Sequence, residues 1–391
     1  MTRVLVSLAC AGLLLAQRPP VEDAWDLLAA GKHREATELL RKIVRTDPSD
    51  PEARLLLGSI LVEQGNYTDA IPQLKEAVRL QPRSADAHNA LAEAYSGAGD
   101  AAAARAEWET TVRLDPKFAP ARVSLGLVLL EAGEPDAAAE HLDRALEVLG
   151  NTEDAALARY LRAKIHSERD QVEKAAAELK QAVSARPDFA EAWSDLGIAR
   201  KALGDDAGAL AAFRRSVEAD PDNAVAQYRL GAECLRQGKS KEAIVHLEAA
   251  FRLDPEDQST LYNLQLALRQ DGQLERAKDI KERLAELIRR RDKISQDAMT
   301  ALRLNNEGAA LETAGDLRGA LEKYRAAVAL DPEHSGIRTN FAAALLLLGQ
   351  WRQGIAELRE ALRLDPTNES LRQALDAALK QAPPGAAISP R

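Results

Sequence analysis

Residues 231–255 read GAECLRQGKSKEAIVHLEAAFRLDP, and this stretch decides the architecture of the chain. Gly231 is followed by Gly238, then by Ala243, Leu247 and Ala250, and the stretch closes on Asp254-Pro255. Apolar residues recur at helical spacing on both sides of Gly238, which describes two helices with a corner between them. The same punctuation returns elsewhere: Pro48, Pro82 and Pro116 are thirty-four residues apart, as are Pro187, Pro221 and Pro255, and again Pro332 and Pro366. A fixed period of this size is the signature of a repeat architecture.

With the proline at position 32 of each unit, position 15 is glycine in nine of ten units: Gly31, Gly65, Gly99, Gly133, Gly204, Gly238, Gly272, Gly315 and Gly349. There the first helix must stop and the chain reverse, through a left-handed backbone that glycine adopts without strain. Position 20 is alanine in nine units, from Ala36 to Ala320, and Gly354 in the last. Position 8 is also small, as in Gly58, Ala92, Gly126, Gly197, Gly231 and Gly308, so two helix axes can approach closely at both places. The proline closes the second helix, because the residue before it is pushed out of the α region.

These residues resemble the tetratricopeptide repeat, most closely over Gly231 to Pro255. The resemblance implies an all-α fold, an α-solenoid in which helix-turn-helix repeats wind into a right-handed superhelix. The spacing places repeats 1 to 4 at 17–152 and repeats 5 to 8 at 156–291, with a small insertion at 153–155. Repeats 9 and 10 follow at 301–368, after a helical insertion at 292–300. No Pro or Gly lies between Gln273 and Asn306, so the second helix of repeat 8 should run on as one long helix. Residues 369–381, with Leu371, Leu375 and Leu379, have the spacing of a terminal amphipathic helix that covers the last open apolar face, and 382–391 reads as a disordered tail.

The composition is built on helix formers: 46% hydrophobic, 4% aromatic and 29% charged. Two Cys exclude a disulfide scaffold and a Cys-ligated metal module. A net charge of -9 disfavours nucleic acid as a partner. The six histidines, His33, His88, His141, His166, His246 and His334, are never paired at ligand spacing, so no metal site is expected. No catalytic motif is present, no cofactor is called for, and the reading is a non-enzyme without a small-molecule substrate. Gly97-Ala98-Gly99-Asp100-Ala101-Ala102 fits a dinucleotide fingerprint, but it follows a helix and contains a position-15 turn. Residues 1–16, with Arg3 ahead of the apolar run from Val4, read as a signal peptide, which implies an exported protein, periplasmic or secreted, or one held at the inner membrane by an uncleaved leader.

The family resemblance implies that positions 2, 5, 9 and 12 of the first helix face the inner groove. In repeats 4 to 8 these include Val123, Leu127, Leu130, Leu157, Tyr160, Ile198, Val225, Tyr228, Leu235, Tyr262 and Leu266. Tyrosine joins a large apolar body to a polar tip, which suits a partner interface. Lys164, Ser194, Lys201 and Arg269 are interspersed polar groups that would fix a ligand's direction. The resemblance further suggests Asn263, Asn306 and Asn340, at position 6, as ligands for a peptide backbone. The family's carboxylate clamp is missing, since its places are taken by residues such as Asn305 and Ala309. Cys234 reads as a small core hydrophobe.

One basic run stands out: Lys278, Lys281, Arg283, Arg289, Arg290, Arg291 and Lys293. It reads first as the solvated face of the long helix, and otherwise as a surface for a membrane or an acidic partner over 278–293. The expected function is a scaffold that binds a partner's peptide or helix in its groove. The alternative is a structural or assembly module of an envelope, secretion or pilus complex, acting by self-association or through exposed repeat edges.

Overall fold

A computed structural model describes residues 20–383. The expected leader at 1–16 lies outside the described residues, as does the expected tail from residue 384 onward. The described residues form an all-α solenoid of helix pairs without strands. Two compact units divide between Leu253 and Asp254. The first contains α1 (Pro20–Ala29), α2 (His33–Thr46), α3 (Pro51–Glu63), α4 (Tyr67–Leu80), α5 (Ala85–Gly97), α6 (Ala101–Leu114), α7 (Ala119–Glu131), α8 (Pro135–Leu149), α9 (Ala155–Glu168), α10 (Val172–Ala185), α11 (Ala190–Ala202), α12 (Asp206–Ala219), α13 (Ala224–Arg236) and α14 (Ser240–Leu253). The second contains α15 (Gln258–Gln270), α16 (Leu274–Thr313), α17 (Leu317–Leu330), α18 (Ser335–Leu347), α19 (Trp351–Leu364) and α20 (Glu369–Gln381).

The corners form as the glycine pattern requires. All nine position-15 glycines have φ between 72° and 87°. Repeat 5 has Asp170 there instead, with φ 57°, the one non-glycine at positive φ among the described residues. Helix starts are fixed by short acceptors. Asp50, Ser84, Asn223 and Asp257 accept backbone N–H bonds at the heads of α3, α5, α13 and α15, and Asn66, Asp100, Asp205 and Asp316 do so after the corner at α4, α6, α12 and α17. Each such cap contributes about 1 kcal/mol. Position 8 is small because helix B lies directly on it: a Cβ on Gly58 would come within 2.4 Å of Leu74 Cγ, and one on Gly197 within 2.5 Å of Phe213 Cε1.

A second register device recurs at position 4. Arg54 donates to the carbonyl of Pro48 at 2.7 Å and to Gln73 Oε1 at 2.9 Å, joining the previous repeat's closing proline to the repeat's own helix B. The same pair of contacts is made by Arg122 with Pro116 and His141, by Gln227 with Pro221 and His246, and by Arg338 with Pro332 and Glu357. Trp193 reaches Pro187 at 2.9 Å, and Arg159 reaches the carbonyl of Gly150 at 3.0 Å where the proline is missing. Each proline lies past the end of the preceding helix, so its carbonyl is outside the helical ladder and the position-4 N–H supplies its hydrogen bond.

Neither break in the repeat frame becomes a boundary between the units. At 153–155 the chain turns through Gly150, φ 62°, and α9 starts at Ala155, which is fully buried in one apolar cluster with Leu142 of α8. At 292–300 the helix is unbroken, and α16 continues past the expected insertion to become the first helix of repeat 9 as well, 40 residues in all. Its ends pack, on α15 at one end and on α17 at the other, while every residue from 288 to 296 is exposed. At the C-terminus, α20 lays Leu371 and Ala378 against Ile355, Leu358 and Ala361. No helix among the described residues is long and apolar enough to cross a membrane.

Candidate partner-binding groove

Within the first unit, the inner faces of α9, α11 and α13 carry two cavities that share Asp195 in their walls. One, of about 350 Å³, is lined by Lys164, Val172, Leu179, Ile198, Ala199 and Ala202 among others. The other, of about 280 Å³, is lined by Tyr160, Glu191, Ser194, Val225 and Arg229. Most of these residues fall at positions 2, 5, 6, 9 and 13 of their repeats, because a helix with 3.6 residues per turn presents those places on one side; Ala199 is at position 10, and Val172 and Leu179 come from α10. Ile198 is 44% exposed and Val225 55% exposed, unusually open for branched aliphatic residues in a concave wall. Leu157 and Leu127 are also exposed.

The groove floor between the cavities is polar and closely bonded. Arg229 donates to Ser194 Oγ and lies 3.4 Å from Asp195 Oδ1. Burial pushes the Tyr160 hydroxyl up to about 12, and the carboxylate of Asp195, to which it hydrogen-bonds, adds to the effect. Tyr160 therefore stays a neutral donor, packed against Phe189 with ring centroids 4.9 Å apart. Lys201 is committed to Glu233, at 3.3 Å. Burial works against the charge on Glu233, but hydrogen bonds from Arg236, Gln237 and Lys201 outweigh it and hold its carboxyl below the usual range. Lys164 is the exposed cation of the apolar cavity. Cys234 is fully buried, and burial pushes its thiol up to about 12, which leaves it inert.

The sequence candidates thus separate into groups. Tyr160, Ile198 and Val225 come together in the groove, with Leu157 on the same helix as Tyr160. Val123 does not offer a surface: it is 7% exposed and belongs to the core, because its side of α7 meets neighbouring helices. Leu130, Tyr228 and Leu235 are half-buried. Tyr262, Asn263, Leu266, Asn306 and Asn340 belong to the second unit. There Tyr262 is 54% exposed, Asn263 and Leu266 are half-buried, and Asn306 is exposed. Asn340 donates to Asn305 Oδ1 at 2.9 Å in a cavity of about 390 Å³ that also includes Thr339, Ser370 and Leu371.

Sequence reasoning passed over Asp195 and Arg229, which look like ordinary surface charges until their helices are side by side. It also passed over a cavity of about 580 Å³ on repeats 1 to 3, with Trp25, Glu52, Leu55, Ser59, Asp86, Asn89 and Glu93 in its wall. The signal was available, since these are positions 2, 5 and 9 of their repeats.

Models of the tetratricopeptide repeat match residues 27–94, 61–121 and 311–383, and further models of the same repeat match 119–144, 160–224 and 224–257. No curated protein sequence matches the chain. Among solved structures, PilF of Pseudomonas aeruginosa is 17% identical with a TM-score of 0.50, over 55% of this chain and 96% of that one. A tetratricopeptide repeat protein from Parabacteroides merdae is 19% identical with a TM-score of 0.46, over 64% of this chain and 97% of that one. Proteins of this type mediate protein–protein interaction, and no enzymatic domain is matched here. With the period, the corners and the helix pairs in agreement, the chain belongs to the tetratricopeptide repeat family.

Proposed function

We propose that the protein is a non-catalytic scaffold that takes an apolar segment of a partner protein, extended or helical, along α9, α11 and α13. The observation that carries this reading is the pair of adjoining cavities whose walls expose Ile198 and Val225 beside the bonded Tyr160, Asp195 and Arg229. Aliphatic side chains of the partner would cover the apolar walls. The polar floor, whose hydrogen bonds are already formed, would set the direction of the segment at little entropic cost.

A photo-crosslinking residue placed at Ile198, compared with one at Val245 on α14, tests the groove. Val245 is 60% exposed and provides a control at an equally open apolar site. A protein captured at Ile198, not captured at Val245, and lost when Tyr160 and Val225 are changed to Ala supports the reading. Equal capture at both positions, or capture indifferent to those changes, refutes it. Each hot-spot truncation should cost about 1 kcal/mol or more.

A further inference from the structure

The cavity on repeats 1 to 3 differs in charge from the groove just described. Four carboxylates enter its wall, from Glu52, Glu63, Asp86 and Glu93, and no Lys or Arg does. Its floor is apolar, with Leu55, Leu56, Ile60 and Ala90, and Trp25 stands at its edge 51% exposed, its indole N–H 3.3 Å from Glu52. Asn89, also in the wall, has its Oδ1 shielded from solvent with no donor against it. An occupant of this groove must be apolar on one side, carry positive charge, and bring hydrogen-bond donors.

The chain contains such a segment. From 288 to 296 α16 is exposed on every side, with Ile288 at 41% and Ile294 at 60%. Residues 289–293 hold four basic side chains, Arg289, Arg290, Arg291 and Lys293, against one acidic, Asp292, and of these Arg290 already donates to Glu256 at 2.8 Å in an exposed pair. Nine helical residues span about 14 Å, and the first helices of three successive repeats, each about 10 Å from the next, offer a trough about 20 Å long. Two α16 segments would not pair with each other, since each would bring its arginines against the other's.

We infer that the acidic groove of repeats 1 to 3 receives residues 288–296 of α16 from a second copy of the protein. One groove and one basic segment per molecule make the contact heterologous, the groove of one copy meeting the segment of another. The contact is small and rests on exposed charges, which places it in the micromolar range and makes it sensitive to salt.

Sedimentation velocity on the full chain tests this. At about 100 µM and low salt the wild type should sediment as oligomers that collapse to monomer on adding about 0.5 M NaCl, where the Debye length falls to a few Å. Trp25→Ala with Glu63→Lys disables the groove, and Arg289→Glu with Arg291→Glu and Ile294→Ser disables the segment. All five positions are exposed, and circular dichroism checks that both variants keep the fold. Each variant alone should remain monomeric, while an equimolar mixture should give a 1:1 dimer, joined by the one intact groove and the one intact segment. A wild type that stays monomeric, a single variant that still assembles, or a mixture without dimer would each overturn the proposal. So would a helix variant whose loss is confined to binding anionic vesicles or another protein. Ile198→Glu should leave assembly unchanged, which separates this contact from the groove of α9, α11 and α13.

Discussion

The position-4 contact makes a quantitative claim about stability that can be tested at Arg338. Its Nε donates to the Pro332 carbonyl at 2.6 Å and its Nη1 to Glu357, with the two side chains 14% and 24% exposed. Arg338→Met keeps most of the aliphatic stem and removes the donors, leaving a partly buried carboxylate and a carbonyl unsatisfied. Hydrogen bonds to charged groups contribute about 1.5–3 kcal/mol when buried; with the residual exposure discounted, the loss should be about 2 kcal/mol. The internal control is Arg363 with Glu360, an ion pair at 2.7 Å whose side chains are 65% and 38% exposed and which solvent therefore screens. Long repeat arrays do not unfold in one step, so the assay is amide hydrogen exchange read on α18 and α19. Arg338→Met should lower protection there about 30-fold, since 1.36 kcal/mol is a factor of ten, whereas Arg363→Met should change it little. If the two substitutions have equal effects, the contact is decoration and the register argument fails.

Three further outcomes follow from the same structure. Asp170→Gly should stabilise the chain by about 0.5–1 kcal/mol, because φ 57° strains a side-chained residue, and a thermal melt that shifts downward would contradict this. Burial holds His141 below the ordinary histidine range, with the Arg122 guanidinium adding to it, and burial does the same for His246. Above about pH 6.5 both rings are neutral folded or unfolded; as pH falls below that, the unfolded chain takes up protons first and stability declines toward the folded pKa. Changing both to Gln should flatten that decline between about pH 6.5 and 5, and an unchanged slope would assign it elsewhere. Ending the chain after Thr367 strips Leu371, Leu375 and Leu379 from α19, of which the buried Leu371 contributes about 1.5–3 kcal/mol and the two partly buried leucines less, so α19 should lose exchange protection and bind hydrophobic dye. Retained protection would mean that α20 is not a cap.

How much of this was legible beforehand depended on whether a position repeats in kind. Corner glycines and closing prolines recur as the same residue, so the spacing of Gly231, Gly238 and Pro255 carried the fold. The position-4 contact recurs only as a capability, a long side chain with an N–H, filled in turn by Arg54, Arg122, Arg159, Trp193, Gln227 and Arg338, so no residue pattern announces it. In the groove, Tyr160, Ile198 and Val225 could be placed from helical phase alone. Val123 could not, since its phase is shared by surface that faces the groove and surface that faces the next helix. Asp195, Arg229 and the carboxylates around Trp25 were invisible for another reason: a charge on a helix acquires a role only when the neighbouring helix brings its counterpart or leaves it without one.

The continuity of α16 has a mechanical consequence. Elsewhere in the array two neighbouring hairpins meet across a short loop, where thermal motion can part them at the cost of one interface. Repeats 8 and 9 have no such seam, because a single rod of about 60 Å belongs to both, and separating them means breaking backbone hydrogen bonds in mid-helix. This part of the chain should therefore open all at once or not at all, a weld in a structure that otherwise comes apart link by link.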